Sequence, residues 1–395
     1  VRVAPSPYAS DYDPFTVEAM THMFAADGEL REAAAVAYLE RYDIWAITRF
    51  DEIQSATRDW ETFSSTSRPF DEPQSFKPSI PLTLDPPEHT RVRAVINRAI
   101  SPPTLRRMRA TFDGFADELM DRLLADGPVE LDAVHEVAVG YALKAFPDIL
   151  GLPREGREKL LSFGDAVFNV TGPHNEIWHQ KMKSGAPALA WVEENTKRSS
   201  QKPGGLGMQM FEAADAGEIS EAEAEQLIKA LLAAGFDTTI ASIAGTIRAF
   251  SQNPDQWLLL REDRSLVQKA FEEAMRFQSP SRYGGRITVR DVDVAGTTIP
   301  AGSPVLLFWL AGNRDPRHWS EPDRFDILRG EGSHLALGYG IHTCVGQALA
   351  RIEGQAVLQS LVDRVAAIEP TGAAVPAVNM QASGLESVPV RLIPE

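Results

Sequence analysis

The 395-residue chain has one cysteine, Cys344, which excludes a disulfide framework and leaves a single thiol for metal or redox chemistry. Basic side chains are the scarcer charge, 39 Lys and Arg against 55 Asp and Glu. The formal net charge of −16 argues against general nucleic-acid binding. No run reads as long and apolar enough to cross a bilayer, and the opening Val1-Arg2-Val3-Ala4-Pro5-Ser6-Pro7 lacks the basic-then-apolar pattern of a secretory signal. The expectation is a cytoplasmic protein that partners neither membrane nor nucleic acid. Repeats and low-complexity tracts are missing too, which excludes solenoids and long linkers. What is present is 44% hydrophobic residues, enough for a substantial core, with no composition break to separate independent domains.

Read by its punctuation, the chain is mainly α with a small β part, one domain over residues 1–395. Val36, Tyr38, Ile44, Ala46 and Ile47, around a turn at 40–43, predict a hairpin within 35–50, and a helix follows near 51–59. Residues 64–88 are rich in Pro, Ser and Asp and read as a long irregular loop of the kind that binds or covers a ligand. Helical periodicity then dominates a body of about 89–285. It resumes over about 345–367, and β-like runs lie within 286–308 and 370–395.

Two stretches carry chemistry. In Leu337-Gly338-Tyr339-Gly340-Ile341-His342-Thr343-Cys344-Val345-Gly346, two glycines permit a tight turn and the following run opens a helix. Cys344 is therefore expected at a helix N-terminus, where unpaired N–H groups favour thiolate, and Gly346 lets that helix approach a flat cofactor. A lone cysteine is otherwise most often a small buried hydrophobe. The second stretch is a proline-free helix that opens at a capping box, Ser220 with Glu223, and runs to about Gln252. In its middle, Ala234-Gly235-Phe236-Asp237-Thr238-Thr239 collects poor helix formers, which predicts a local distortion with Thr238 bonding back to the Ala234 carbonyl.

Gly-x-Gly-x-His-x-Cys-x-Gly resembles the ligand loop of the cytochrome P450 family, in which a cysteine thiolate binds haem iron. The hexapeptide about a hundred residues earlier resembles that family's oxygen-binding segment, and the resemblance extends from about residue 35 to the tail. It implies the P450 fold, with haem b between the long central helix and the helix after Cys344. It makes Cys344 the iron ligand and places Gly338, Gly346, Ala234 and Gly235 against the cofactor. His89, Arg93, Arg286 and His342 match positions that contact the haem propionates. Asp237 and Thr238 match the acid–alcohol pair that delivers protons during oxygen cleavage. Glu273 and Arg276, with Arg324 as the expected third member, match a structural triad behind the ligand loop. Leu337 departs from the family's usual Phe, with consequences for the iron's potential.

The implied activity is insertion of one atom of O2 into a small aromatic substrate, with electrons from NAD(P)H through a reductase and a [2Fe-2S] or similar ferredoxin. Arg98, Arg106, Arg107 and Arg351 are candidates for the ferredoxin-facing patch. Segments 147–152, 167–173 and 384–390 look like the bacterial enzymes that O-demethylate para-methoxybenzoate, which points to O-demethylation of a methoxylated aromatic acid or phenol. By that likeness Ser79, Phe168, Thr171, Lys229, Ala233, Gly284 and Gly285 line the substrate pocket. Phe76 stands where the demethylases carry an arginine, with Lys77 beside it, and Ala230 replaces a hydroxyl. Gly284 and Gly285 replace bulky aromatics, so the expectation is a larger cavity and a bulkier substrate; the alternative is that the glycines serve a turn. Hydroxylation of another hydrophobic molecule, a peroxide-driven reaction and a haem sensor or carrier are the competing readings. The intact Asp237-Thr238 pair speaks against the last two.

Overall fold

The computed structural model describes residues 8–70, 80–330 and 332–395. The helix Glu221–Gln252 forms its axis, opened by the predicted capping box. It is buried from Ala224 to Ser251 on almost every turn, and the helices Gly140–Leu150, Lys159–Val170, Leu206–Asp215, Val267–Gln278 and Gln347–Arg364 pack around it. An 18-residue window of this helix has mean hydropathy 1.5, so by length and composition it could cross a membrane. That corrects the sequence expectation; a helix enclosed by others is apolar all round for the same reason a membrane span is.

The β part is larger than predicted. One sheet runs Ala9–Ser10, Val36–Leu39, Ile44–Ile47, Pro304–Leu307, Gly284–Thr288 and Phe63–Ser64 in spatial order. The predicted hairpin forms its middle, turning at Asp43, whose φ of 56° is one that a short polar side chain tolerates. A second sheet places Pro389–Pro394 between Val365–Pro370 and Val129–Asp132, so a strand interrupts the predicted helical body.

Most of the apolar core is one cluster around the central helix. Two smaller clusters, around Phe15 and Tyr283 and around Trp45 and Phe50, join the larger sheet to the body. Asp27 and Arg282, both fully buried, pair at 2.6 Å, and Arg282 also donates to the Pro14 carbonyl. With its charge and donors matched, this pair fixes the amino-terminal segment to the strand that carries Gly284.

Candidate active site

Cys344 lies in a loop that reverses at Gly338 and Gly340, both at φ 66°. Gly340 is required twice over, since a Cβ there would also strike the backbone of Thr57 in the helix Phe50–Arg58. The Cys344 N–H donates to the Leu337 carbonyl at 2.7 Å, closing the loop. The helix begins only at Gln347 with Gly346 as its cap, so Cys344 stands before the first turn and not in it. Burial pushes the thiol up, while the Gly346 N–H, Arg93 and Arg351 pull it down. The helix-end N–H thus acts in the expected direction, but burial outweighs it and the net shift is upward; a bound metal cation would favour the thiolate.

Beside this loop, four predicted residues converge. His89 and His342 stack edge to face with ring centroids 4.6 Å apart. Arg93 donates to the Thr343 carbonyl, and Arg286 donates to the Gly285 carbonyl at 2.7 Å. Arg286 is 8% exposed. Burial pushes it down to about 10. Burial and the nearby Arg286, His89 and Arg93 push His342 down to about 3. His89 Nε2 and both ring nitrogens of His342 are buried without partners among the described residues. Asp85 is the acid that acts on His89 and Arg286, and it already accepts from Ser64 and Ser65. A buried set of cations and donors lacking anions is what a dicarboxylate would complete, so these residues fit a haem.

On the central helix, Ala234 is exposed in the middle of a mostly buried run, with Ala233, Gly235, Asp237 and Thr238 half-buried around it. Thr238 donates to the Ala234 carbonyl at 2.7 Å, as predicted, and Thr239 to that of Gly235 at 2.8 Å. The helix nevertheless runs unbroken through this segment, because the hydroxyls bond back without displacing the ladder. Gly235 has a packing reason: a Cβ there would sit 2.7 Å from Phe146 Cζ. The Asp237 carboxyl is held well above the usual carboxylate range by burial and by Asp165, against the opposing pull of Lys181. Gly164, in the helix Lys159–Val170, was not anticipated as a site residue, yet any side chain there would collide with that carboxyl. A lone glycine inside an amphipathic helix was the available signal.

The family model described as cytochrome P450 matches residues 130–389. The chain belongs to the cytochrome P450 family. It is 42% identical to cytochrome P450 CYP199A2 of Rhodopseudomonas palustris over 97% of this chain and 94% of that one. It is 31% identical to the beta-dihydromenaquinone-9 omega-hydroxylase of Mycobacterium tuberculosis, over 91% and 75% of the two chains. The solved structure of cytochrome P450 CREJ in complex with (4-ethylphenyl) dihydrogen phosphate superposes with a TM-score of 0.87 at 25% identity, covering 96% of this chain and 99% of that one. The fold is therefore that of the P450s, the enzyme is a monooxygenase of that family, and its cofactor is haem b held by a cysteine thiolate.

Within this P450, several expected site residues are placed differently. Glu273 and Arg276 pair at 2.7 Å, 4% and 1% exposed, and Arg276 also donates to the carbonyls of Asn313 and Pro322. The third member is Arg329, whose Nε lies 3.2 Å from Glu273. Arg324 is an exposed partner of Glu321, and only its carbonyl faces the triad, accepting from Arg276 and Arg329. Lys229 is paired with Glu193 at 3.5 Å. Gly284 and Gly285 do not open a cavity, because Cβ atoms there would lie 2.6 Å from Trp309 Cη2 and 2.5 Å from Pro69 Cδ. Thr171 donates to Gln381 at 2.9 Å, and Gln381 in turn donates to the Tyr283 carbonyl. Phe168 is half-buried one turn beyond Gly164 on the same helix. Ser79, with Phe76 and Lys77, lies outside the described residues. Of the arginine patch, Arg98 is paired with Glu218 and Arg351 with Glu272, while Arg106 and Arg107 stand exposed on the helix Pro102–Leu123.

Proposed function

We propose that this P450 is a cytoplasmic O-demethylase of small methoxylated phenols, supplied with electrons from NAD(P)H by a reductase and a ferredoxin. The balance is one methoxyarene, one O2, one NAD(P)H and one proton giving the phenol, formaldehyde, water and NAD(P)+. Cys344 would ligate the iron, His89, Arg93, Arg286 and His342 would hold the propionates, and the haem would supply oxygen activation. Every other task falls to side chains. Asp237, its carboxyl held above the usual carboxylate range by burial, would be the proton donor next to Thr238. Thr238, its own proton committed to the Ala234 carbonyl, presents lone pairs that accept a proton-bearing neighbour. The Asp165–Lys181 pair, 2.8 Å apart, offers Asp237 a route for reprotonation from the surface.

The observation that carries the choice of phenol over benzoate is the pairing of Lys229 with Glu193. A lysine already neutralised by a carboxylate is a poor holder of a second one, and it lacks the planar fork of an arginine. The likeness of segments 147–152, 167–173 and 384–390 to the para-methoxybenzoate demethylases supports an aromatic ring against Phe168. With Trp309 and Pro69 in the space beside the two glycines, nothing favours a substrate bulkier than that benzoate. Spectral titration of the ferric enzyme should show a para-methoxyphenol binding about tenfold more tightly than para-methoxybenzoate, and its turnover should release one formaldehyde per NAD(P)H. Tighter binding of the benzoate would overturn the assignment. For the ferredoxin, Arg106 and Arg107 are the contacts best placed to meet an acidic partner, since neither is held in an ion pair among the described residues.

A further inference from the structure

Side chains two apart on a strand point to the same face, so Gly284 shares the face of Gly284–Thr288 that carries Arg286. The volume next to Gly284 is filled by the Trp309 indole, whose Cε2 would lie 3.2 Å from a Cβ at that position. Trp309 reaches it from the end of the neighbouring strand Pro304–Leu307, where Leu307 pairs with Gly284. Nε1 is bonded to that same Cε2, and it is buried with no acceptor among the described residues. Buried indole N–H groups ordinarily find acceptors, and leaving one unmatched is costly. The same shortage marks His89 Nε2 and both nitrogens of His342, and Arg286 has as its nearby acid only Asp85 among the described residues, a carboxylate already accepting from Ser64 and Ser65. The indole and Arg286 thus lie on one face of one strand, and His342, with His89 stacked on it, lies near Arg286.

We propose that Trp309 is a further haem-anchoring residue, its Nε1–H donating to the propionate carboxylate that Arg286 binds, and that position 284 is glycine so that the indole can reach it. This rests on haem being the cofactor and is independent of the demethylase reading. As a neutral donor, Trp309 would add a hydrogen bond to an anion without adding a charge to a cluster already short of anions.

Trp309→Phe keeps most of the ring and removes the donor. Transfer of ferric haem from the substrate-free holoenzyme to excess apomyoglobin should be roughly tenfold faster in the variant, the size of one hydrogen bond to a charged group. The reduction potential should move to a lower value, because the propionate charge is less compensated. When parent and variant are reconstituted with haem dimethyl ester, the difference in haem loss should shrink to about twofold or less. An unchanged rate with native haem, or the same acceleration with the ester, would show that the indole only packs. If Trp309→Phe takes up no haem, Gly284→Ala decides, since its methyl displaces the indole without removing it. Faster haem loss from Gly284→Ala supports the contact, and loss at the parent's rate overturns it.

Discussion

Arg329 and Arg324 lie five residues apart in one loop, and replacing each with alanine should have very different consequences. Arg329 is 8% exposed, sits 3.2 Å from Glu273 and donates to the carbonyls of Ser320, Glu321 and Arg324 at 2.5, 3.1 and 2.9 Å. Its removal strips one of two cations from a buried carboxylate and takes a donor from three carbonyls, of which that of Arg324 keeps Arg276. Breaking a buried pair costs about 3–5 kcal/mol, and because Glu273 keeps its two bonds to Arg276, the lower end, about 3 kcal/mol, applies. Arg324 is 57% exposed and its partner Glu321 72%, so its loss should cost about 0–1 kcal/mol. For a protein stabilised by about 5–15 kcal/mol the first is a large fraction and the second is not. Urea unfolding of the two holoproteins, followed by circular dichroism and by the Soret band, should give a clearly lower midpoint for Arg329→Ala and a parent-like midpoint for Arg324→Ala. Equal shifts would refute the assignment of the third triad member.

Three further outcomes are expected. Cys344→Ser should abolish the strongly red-shifted Soret band of the reduced carbon monoxide complex, since no other thiol exists in the chain; a retained band would remove Cys344 as the ligand. Thr238→Ala should leave substrate titrations within about twofold of the parent while most electrons are diverted into hydrogen peroxide, read as formaldehyde and peroxide per NAD(P)H. Glu353, 1% exposed with one carboxyl oxygen unpartnered among the described residues, is pushed up to about 8 by burial, against the opposing influence of the Thr239 hydroxyl. The fold then holds a proton that the unfolded chain releases above about 4.5, so this residue's contribution is intact below that pH and declines as pH rises toward 8. Glu353→Gln should match the parent in urea at pH 5 and exceed it at pH 8; the reverse order would mean that Glu353 is ionised in the fold.

The legible parts of the sequence were those fixed by local rules. The capping box at Ser220 and Glu223, the hairpin about Asp43 and the glycine-bounded turn before Cys344 each follow from a few neighbouring residues, and each appears where the pattern put it. What escaped was set by distant partners. Arg324 and Arg329 are equivalent as text, and only the path of an aperiodic loop brings the second to Glu273. Gly284 and Gly285 announce missing side chains but not what takes their place, which comes from Trp309 and Pro69, 25 residues onward and some 215 back. Asp237 could be named from its motif. The upward shift of its carboxyl could not, because that comes from burial and from Asp165 on another helix. Lys229 likewise reads as a free cation until Glu193 is seen beside it.

The sheet in which Pro389–Pro394 lies between Val365–Pro370 and Val129–Asp132 bears on the order of events during synthesis. Strand Val129–Asp132 finds its partner only after more than 250 further residues have been made, and until then its N–H and C=O groups have no ladder to join. Its last residue, Asp132, accepts from the N–H groups of Val134 and His135 and so starts the helical segment Ala133–Val139, next to Gly140–Leu150 against the central helix. The late strand thus sets the seat of an early helical segment: a growing chain can form its helices piecemeal, but this side of the central helix acquires its final packing only once Pro389–Pro394 has been made.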